Sequence, residues 1–308
     1  MFARAVLLRW LAAIGWAVAA VGPLGCDDTE KRFVAASNQA VEALEHEDYT
    51  RAEQFLNSAI QLRPTDAETL YYLGALHNKR NRPTEAADVL QRAVAADPQF
   101  ADAWLNLAKA RYELRDAKGT QEALAALLRL DPGQPNGHML AARLALGGAP
   151  TGKGPSAGAQ GAGSGRDRVT ADKELRAAIA GDPGFAPAYV LLAQVYSEVE
   201  AYEAARDVLA EGQRFAPQSV EVQEALGLTW LDLGRPDRAK TVLAAAAAHP
   251  KARPGLHLNY ASALLQLGEK DAAMQALRTF ILQSQGTVHQ NDEAVQTAVR
   301  MLRHLKGG

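Results

Sequence analysis

A single cysteine in 308 residues excludes an internal disulfide. Charge of one sign is also missing. Thirty-three Lys and Arg against 35 Asp and Glu leave a net charge of -2, and removing Arg4 and Arg9 with the leader described below takes this to -4. The basic residues are scattered, and no Lys/Arg run is interleaved with aromatics, so nucleic acid is not an expected partner. Long apolar runs are scarce as well. The stretch from Leu11 to Leu24 is shorter than the roughly 20 residues of a membrane span and is interrupted by glycine and proline.

Motifs that carry chemistry are equally few. The seven histidines (His46, His77, His138, His249, His257, His289 and His304) show no metal-ligand spacing and no HExxH pattern. His77, His138 and His257 fall inside predicted helices, as packing or groove-lining residues. Gly147, Gly152 and Lys153 have the spacing of a phosphate-binding loop, but Gly154 stands where Ser or Thr must hold magnesium, and no strand precedes it. Glu42, Glu45, Glu47 and Asp48 read as a solvated helix end. No cofactor, nucleotide or metal is expected, and catalysis is the weaker reading.

What the chain does have is a period. Steps of 34 residues from Ala52 land on Ala86 and Thr120, and a second series runs Ala171, Ala205, Ala239, Ala273. The 51 residues between Thr120 and Ala171 are one period plus an insertion of 17. Prolines obey the same ruler at Pro64, Pro98, Pro132, Pro183 and Pro217. Leucines follow it at Leu56, Leu90, Leu124, Leu175, Leu209, Leu243 and Leu277. A column of small residues, Gly74, Ala108, Ala142, Ala193, Gly227 and Ala261, stands 12 residues ahead of the alanine column wherever no insertion intervenes.

Each unit holds two amphipathic stretches, such as Glu68 to Arg80 and Thr84 to Ala96, which are too short to be stable alone and must stack. Small residues at Gly74 and Ala86 allow close approach, while Leu70, Leu73 and Leu90 fill the layer between helices. Asn81, Gly234 and Gly268 can leave the helical region, and Pro83 and Pro236 suit a first turn. Asp-Pro pairs at Asp97, Asp131 and Asp182 stop the second helices, because proline disfavours helical geometry in the residue before it.

In length, column order and terminal proline, the repeat resembles the tetratricopeptide repeat family. The resemblance implies an all-α fold: a right-handed α-solenoid of about seven helical hairpins with a C-terminal capping helix. The expected organisation is a leader over 1–25 and a tether over 26–32. Three units and the first helix of the fourth follow over 33–146, then a Gly/Ala-rich loop over 147–168. The second helix of unit four and units five to seven occupy 169–283, and a linker with a capping helix 284–308. In the last segment, Val295, Ala298, Val299, Leu302 and Leu305 form one apolar stripe, suited to cover the last repeat near Leu264 and Phe280.

Arg4 and Arg9 ahead of the apolar stretch, with small residues at Gly22 and Gly25, read as an export signal. Pro23-Leu24-Gly25-Cys26 resembles a bacterial lipobox, with proline where that family usually has leucine. The lone thiol at the end of a leader then becomes the lipidation site, Cys26. The resemblance implies a chain anchored to the bacterial cell envelope through its lipid and facing the periplasm, with inner or outer membrane left open.

A stack of hairpins lines one side with its first helices, on which the fifth, ninth and twelfth positions of each unit share a face. This assigns a protein-binding groove to Tyr71, Asn78, Leu105, Lys109 and Tyr112 in the early units. In the later units it assigns Val190, Gln194, Glu224, Leu228, Leu231, Leu258 and Leu265. The early part suits hydrogen bonding to an extended peptide, and the late part an apolar segment. The carboxylate-gripping set of chaperone-binding relatives is matched only by Asn106 among Ser37, Val41, Asn106, Asn136 and Met139. The expected function is a scaffold that binds another envelope protein or peptide segment. Similar repeat lipoproteins assist secretin, type IV pilus and Tad pilus assembly. The alternatives are an adaptor for a periplasmic protease or for outer-membrane protein assembly, and a peptidoglycan-active enzyme.

Overall fold

The computed structural model describes residues 26–147, 165–250, 252–284 and 293–307. The leader over 1–25, most of the glycine-rich insertion and Asn291 lie outside them. The described residues form helices and turns without strands, in two compact units that divide after Pro132.

The first unit contains α1 (Cys26–Glu45), α2 (Tyr49–Leu62), α3 (Ala67–Lys79), α4 (Pro83–Ala96), α5 (Ala101–Glu113) and α6 (Ala117–Leu130). The second contains α7 (Pro135–Ala145), α8 (Gly165–Gly181), α9 (Ala186–Ser197), α10 (Tyr202–Phe215), α11 (Val220–Asp232), α12 (Pro236–Ala247), α13 (Pro254–Gln266), α14 (Lys270–Ser284) and α15 (Glu293–Gly307). Consecutive helices pair as seven hairpins, three in the first unit and four in the second, and α15 packs on the last. The division precedes α7 because α7 and α8 are one hairpin, whatever the length of chain inserted between them.

The columns read from the sequence are the core. Ala52, Ala86, Thr120, Ala171, Ala205, Ala239 and Ala273 are all fully buried, and the Thr120 hydroxyl is satisfied by donating to the Asp116 carbonyl at 2.7 Å. In each hairpin the small residue of the first helix lies 16 positions ahead of a buried leucine of the second, or one insertion further in α7 and α8. A Cβ added to Gly74 would stand 2.4 Å from Leu90 Cγ, and one added to Gly227 2.4 Å from Leu243 Cγ. The same column continues backwards to buried Ala40 on α1, which clusters with Leu56. A further buried column, Ala59, Ala93, Leu127, Ala178 and Ala246, is interrupted by Gly212, where a Cβ would meet the Tyr189 ring at 2.8 Å. There the largest buried side chain faces the smallest residue, which keeps the layer filled at constant spacing.

Turns repeat as regularly as cores. The residue after each first-helix C-cap has positive φ: Gly147 after α7, and Glu47, Asn81, Arg115, Glu200, Gly234 and Gly268 in the other six hairpins. In these six the following amide donates back across the helix end: Asp48 to Ala43, Arg82 to His77, Asp116 to Arg111, Ala201 to Tyr196, Arg235 to Trp230 and Glu269 to Leu264, at 2.8–3.0 Å. These are six Schellman closures at one repeat position. Only two use glycine. At the other end, the side chain six residues after the repeat proline donates to that proline's carbonyl, from Trp104 to Pro98, Tyr189 to Pro183 and Gln223 to Pro217.

Two boundaries differ from expectation. Residues 26–32, expected as a tether, are the first two turns of α1. They contain no helix breaker, Asp28 and Glu30 suit the positive end of the helix dipole, and Glu30 pairs with Arg63 at the end of α2. Likewise α8 begins at Gly165, not Val169, so 165–168 are helical although assigned to the loop. In α15, Val295, Ala298, Leu302 and Leu305 pack on the cluster that contains Leu264 and Phe280. Ala294 and Met301 join that contact, and Val299 is half-buried outside it.

Replacing Gly227 by valine should lower stability by about 2 kcal/mol through overpacking against fully buried Leu243. Arg115→Gly and Glu200→Gly should each stabilise by about 1 kcal/mol, the usual cost of a left-handed non-glycine residue. Thermal and urea unfolding of the three variants, followed by circular dichroism, would check both signs.

Candidate protein-binding surface

In the first unit, α3 and α5 carry the predicted groove. Tyr71 is half-buried and anchored by aromatic neighbours, with its ring centroid 5.2 Å from Tyr72 and 4.8 Å from Phe100. Asn78 bridges the two helices by donating its amide to the Asn106 carbonyl at 3.0 Å. Asn106, the residue shared with chaperone-binding relatives, turns its own amide inward to the Asp102 carbonyl at 2.9 Å. Leu105 and Tyr112, assigned to the groove, are buried at 6% and 7% exposure and form its floor. Ala75, the residue of α3 one period before Lys109, is buried as well. Lys109, between them on the same face of α5, is exposed.

The Lys109 ammonium combines exposure with crowding by protein, which is the environment of a group on an indented surface. Burial pushes its pKa down, against an opposing pull from the Asp102 carboxylate two turns away. Neighbouring charges are already committed. Glu53 accepts from Arg82 at 3.1 Å and also pairs with Arg80. His77 is buried with Nδ1 4.0 Å from Glu53, and desolvation lowers its pKa, which keeps it neutral at pH 7.

In the second unit the surface residues divide. Gln194 and Leu228 are exposed, Leu228 at 38%. Val190 is half-buried against the cluster of Ala193, Leu209 and Leu226, and Leu231 packs on Ala239, Leu243 and Ala263. Leu258 and Leu265 pack on the cluster that α15 completes through Ala298. Most of the expected apolar half is therefore spent within the fold, because the last hairpin must be covered and its leucines are the nearest apolar area. Glu224 is also engaged, accepting from Arg253 at 2.8 Å and from Asn259 at 3.0 Å.

Arg253 and Asn259 were not legible as site residues. Asn259 stands one period plus one residue after Glu224, and that offset alone could have paired them. Asp232, at the end of α11, was also missed: burial pushes its carboxyl up. His138 meets Glu174 at 2.7 Å across the α7–α8 hairpin, so its role is internal pairing. Among the described residues no cluster of His, Cys, Asp or Glu could hold a metal ion, and no helix is long and apolar enough to cross a membrane.

Three tetratricopeptide repeat profiles match the chain, over residues 37–99, 77–144 and 167–298. Among solved structures, a tetratricopeptide repeat protein from Parabacteroides merdae aligns with a TM-score of 0.59 at 13% identity, covering 89% of this chain and 99% of that one. PilW, a type IV pilus biogenesis factor, aligns with a TM-score of 0.55 at 17% identity, covering 76% of this chain and 98% of that one. A heat-shock protein cognate co-chaperone of Aspergillus fumigatus is 27% identical over 81 residues, 26% of this chain. The match spans about a quarter of that relative, 24% of its length.

Lys109→Met keeps the aliphatic stem and removes a charge that burial disfavours and Asp102 only partly offsets. Because the side chain is exposed and water screens the charge, the gain should be small, up to about 0.5 kcal/mol at pH 7. The sign follows from a folded pKa below the unfolded value of 10.5: the penalty is complete below the folded pKa and is relieved as pH rises from there towards 10.5. Wild-type stability should therefore gain on the Lys109→Met variant across that alkaline window, as urea titrations at stepped pH would show.

Proposed function

Because the chain belongs to the tetratricopeptide repeat family, and so is a scaffold for protein–protein interaction, we propose that it is an exported, lipid-anchored one. Its place is the bacterial cell envelope, facing the periplasm. There it holds another envelope protein, or a peptide segment of one, during assembly of a pilus, secretin or secretion apparatus. Its role is to position a partner, not to catalyse a reaction.

The observation that carries this reading is the junction at Cys26. A charged and then apolar leader ends in small residues, the chain's only cysteine follows, and a helical repeat stack begins at that residue. Lipid on that sulfur ties the stack to a membrane at its first helix, and two or more acyl chains would make the tie firm. PilW, whose description is a type IV pilus biogenesis factor, shares the fold; the leader and repeats of this chain support the class of envelope scaffold, and the pathway is part of the proposal.

The surfaces that bind are the accessible parts of the first-helix faces: half-buried Tyr71 and Asn78 with exposed Lys109 in the first unit, and exposed Gln194 and Leu228 in the second. A partner segment laid on helices held at fixed spacing loses little to reorganisation of the scaffold, so a few anchors suffice.

Two measurements check the reading. Cells fed a clickable palmitate should label the wild-type protein in the membrane fraction, and Cys26→Ser should abolish both label and membrane retention. Benzoylphenylalanine placed at Tyr71 or Leu228 should crosslink in the native cell to a pilus, secretin or secretion subunit. Adducts no stronger than those from Asp88, an exposed residue on a second helix, would overturn the groove.

A further inference from the structure

Lys109 lies on the one part of the first-unit groove where a charge is held without an answering charge. It makes no hydrogen bond or ion pair with the described residues. Its floor is apolar and aromatic, Leu105 and Tyr112 being buried beside it, and the position one repeat earlier is Ala75, which offers no acceptor. The nearest polar side chains are spent: the Asn78 amide donates to the Asn106 carbonyl, and the Asn106 amide to the Asp102 carbonyl. Asp102 acts on Lys109 only at a distance.

Other interhelical cations contrast with it. Arg80 and Arg82 share Glu53, Arg63 has Glu30, Lys79 stands 3.9 Å from Glu47, Lys240 meets both oxygens of Glu269 at 2.7 Å, and Arg253 has Glu224. Each of these cations finds a carboxylate on another helix or turn, whereas Lys109, on the groove face, has none among the described residues.

We infer that Lys109 is the anion-receiving point of the first-unit groove, and that the partner segment seated there carries an aspartate or glutamate side chain against its ammonium. The inference rests on the groove reading above and adds the partner's chemistry to it. Nucleic acid is excluded by arithmetic of charge: a phosphate backbone calls for a row of cations, and this face offers one. The carboxylate is a side chain and not a chain terminus. A terminal carboxylate is gripped by several donors around it, whereas here both neighbouring asparagine amides are already donated within the protein. The remaining geometry suits an extended segment crossing α3 and α5, its apolar residues over the Tyr71 ring and its acidic residue at Lys109.

The test uses the full chain in its native cell with benzoylphenylalanine at Tyr71, in wild-type, Lys109→Met and Lys109→Glu backgrounds, with the adducts sequenced by mass spectrometry. The crosslinked partner segment should contain an Asp or Glu within a few residues of the attachment point. Adduct yield should fall about tenfold in Lys109→Met, the loss expected for one charge-assisted contact of about 1.4 kcal/mol, and further in Lys109→Glu. Changing that acidic residue of the partner to lysine should restore the Lys109→Glu adduct. Because Lys109→Met is expected to fold at least as stably as wild type, loss of adduct there is not loss of fold. A robust adduct whose yield is the same in all three backgrounds, or whose segment lacks a carboxylate, overturns this inference and leaves the groove standing. No adduct above the Asp88 control overturns the groove, and this inference with it.

Discussion

The approach of one small residue to one leucine within each hairpin is the contact on which the rest depends. At Gly74 and Gly227 the space for a Cβ is already taken by Leu90 and Leu243, so in those two hairpins the helices approach because a side chain is absent, and in the other five the residue there is alanine. With that distance fixed, the alanine column can be fully buried in all seven hairpins, and Thr120 fits only because its hydroxyl finds the Asp116 carbonyl. Helices of 11 to 20 residues have little stability of their own. Within each unit the hairpins therefore exist by covering their neighbours, and α15 supplies the cover for the last one.

This constraint was the part of the structure most legible in the sequence, because burial at every turn of a repeat leaves a residue type that recurs at a fixed spacing. Leucine and alanine columns name the core directly. The turns were half legible. Gly234 and Gly268 announce a left-handed residue, and Asn81 tolerates one, but Glu47, Arg115 and Glu200 adopt the same φ with no local signal. Their conformation is imposed by the amide that closes the helix end from the following residue, a bond made by backbone and therefore invisible in residue type.

The surface was legible in position and not in depth. Counting every fifth, ninth and twelfth residue finds a helix face correctly, but Leu105 and Tyr112 sink below it while Lys109 stands above it. The spacing along one helix places all three on a face, while depth is set by packing against other helices, which the counting does not contain. In the second unit the same counting could not see that α15 and the last hairpin would absorb Leu258 and Leu265, nor that Asn259 and Arg253 would close on Glu224. Those contacts depend on offsets between helices, to which a 34-residue ruler is blind.

What the packing leaves unused is then informative about what the protein meets. A repeat stack satisfies its own needs with the same contacts over and over: small against large in the core, carboxylate against cation between helices, amide against carbonyl at the turns. Side chains that fall outside those patterns have no structural reason to be where they are. Lys109 is held among protein atoms that disfavour its charge, and Asp232 likewise in the second unit. Each costs the folded chain some stability as it stands, since a desolvated charge is repaid only by an opposite one. On the groove reading proposed above, an acidic residue of the partner would repay that cost at Lys109 on docking.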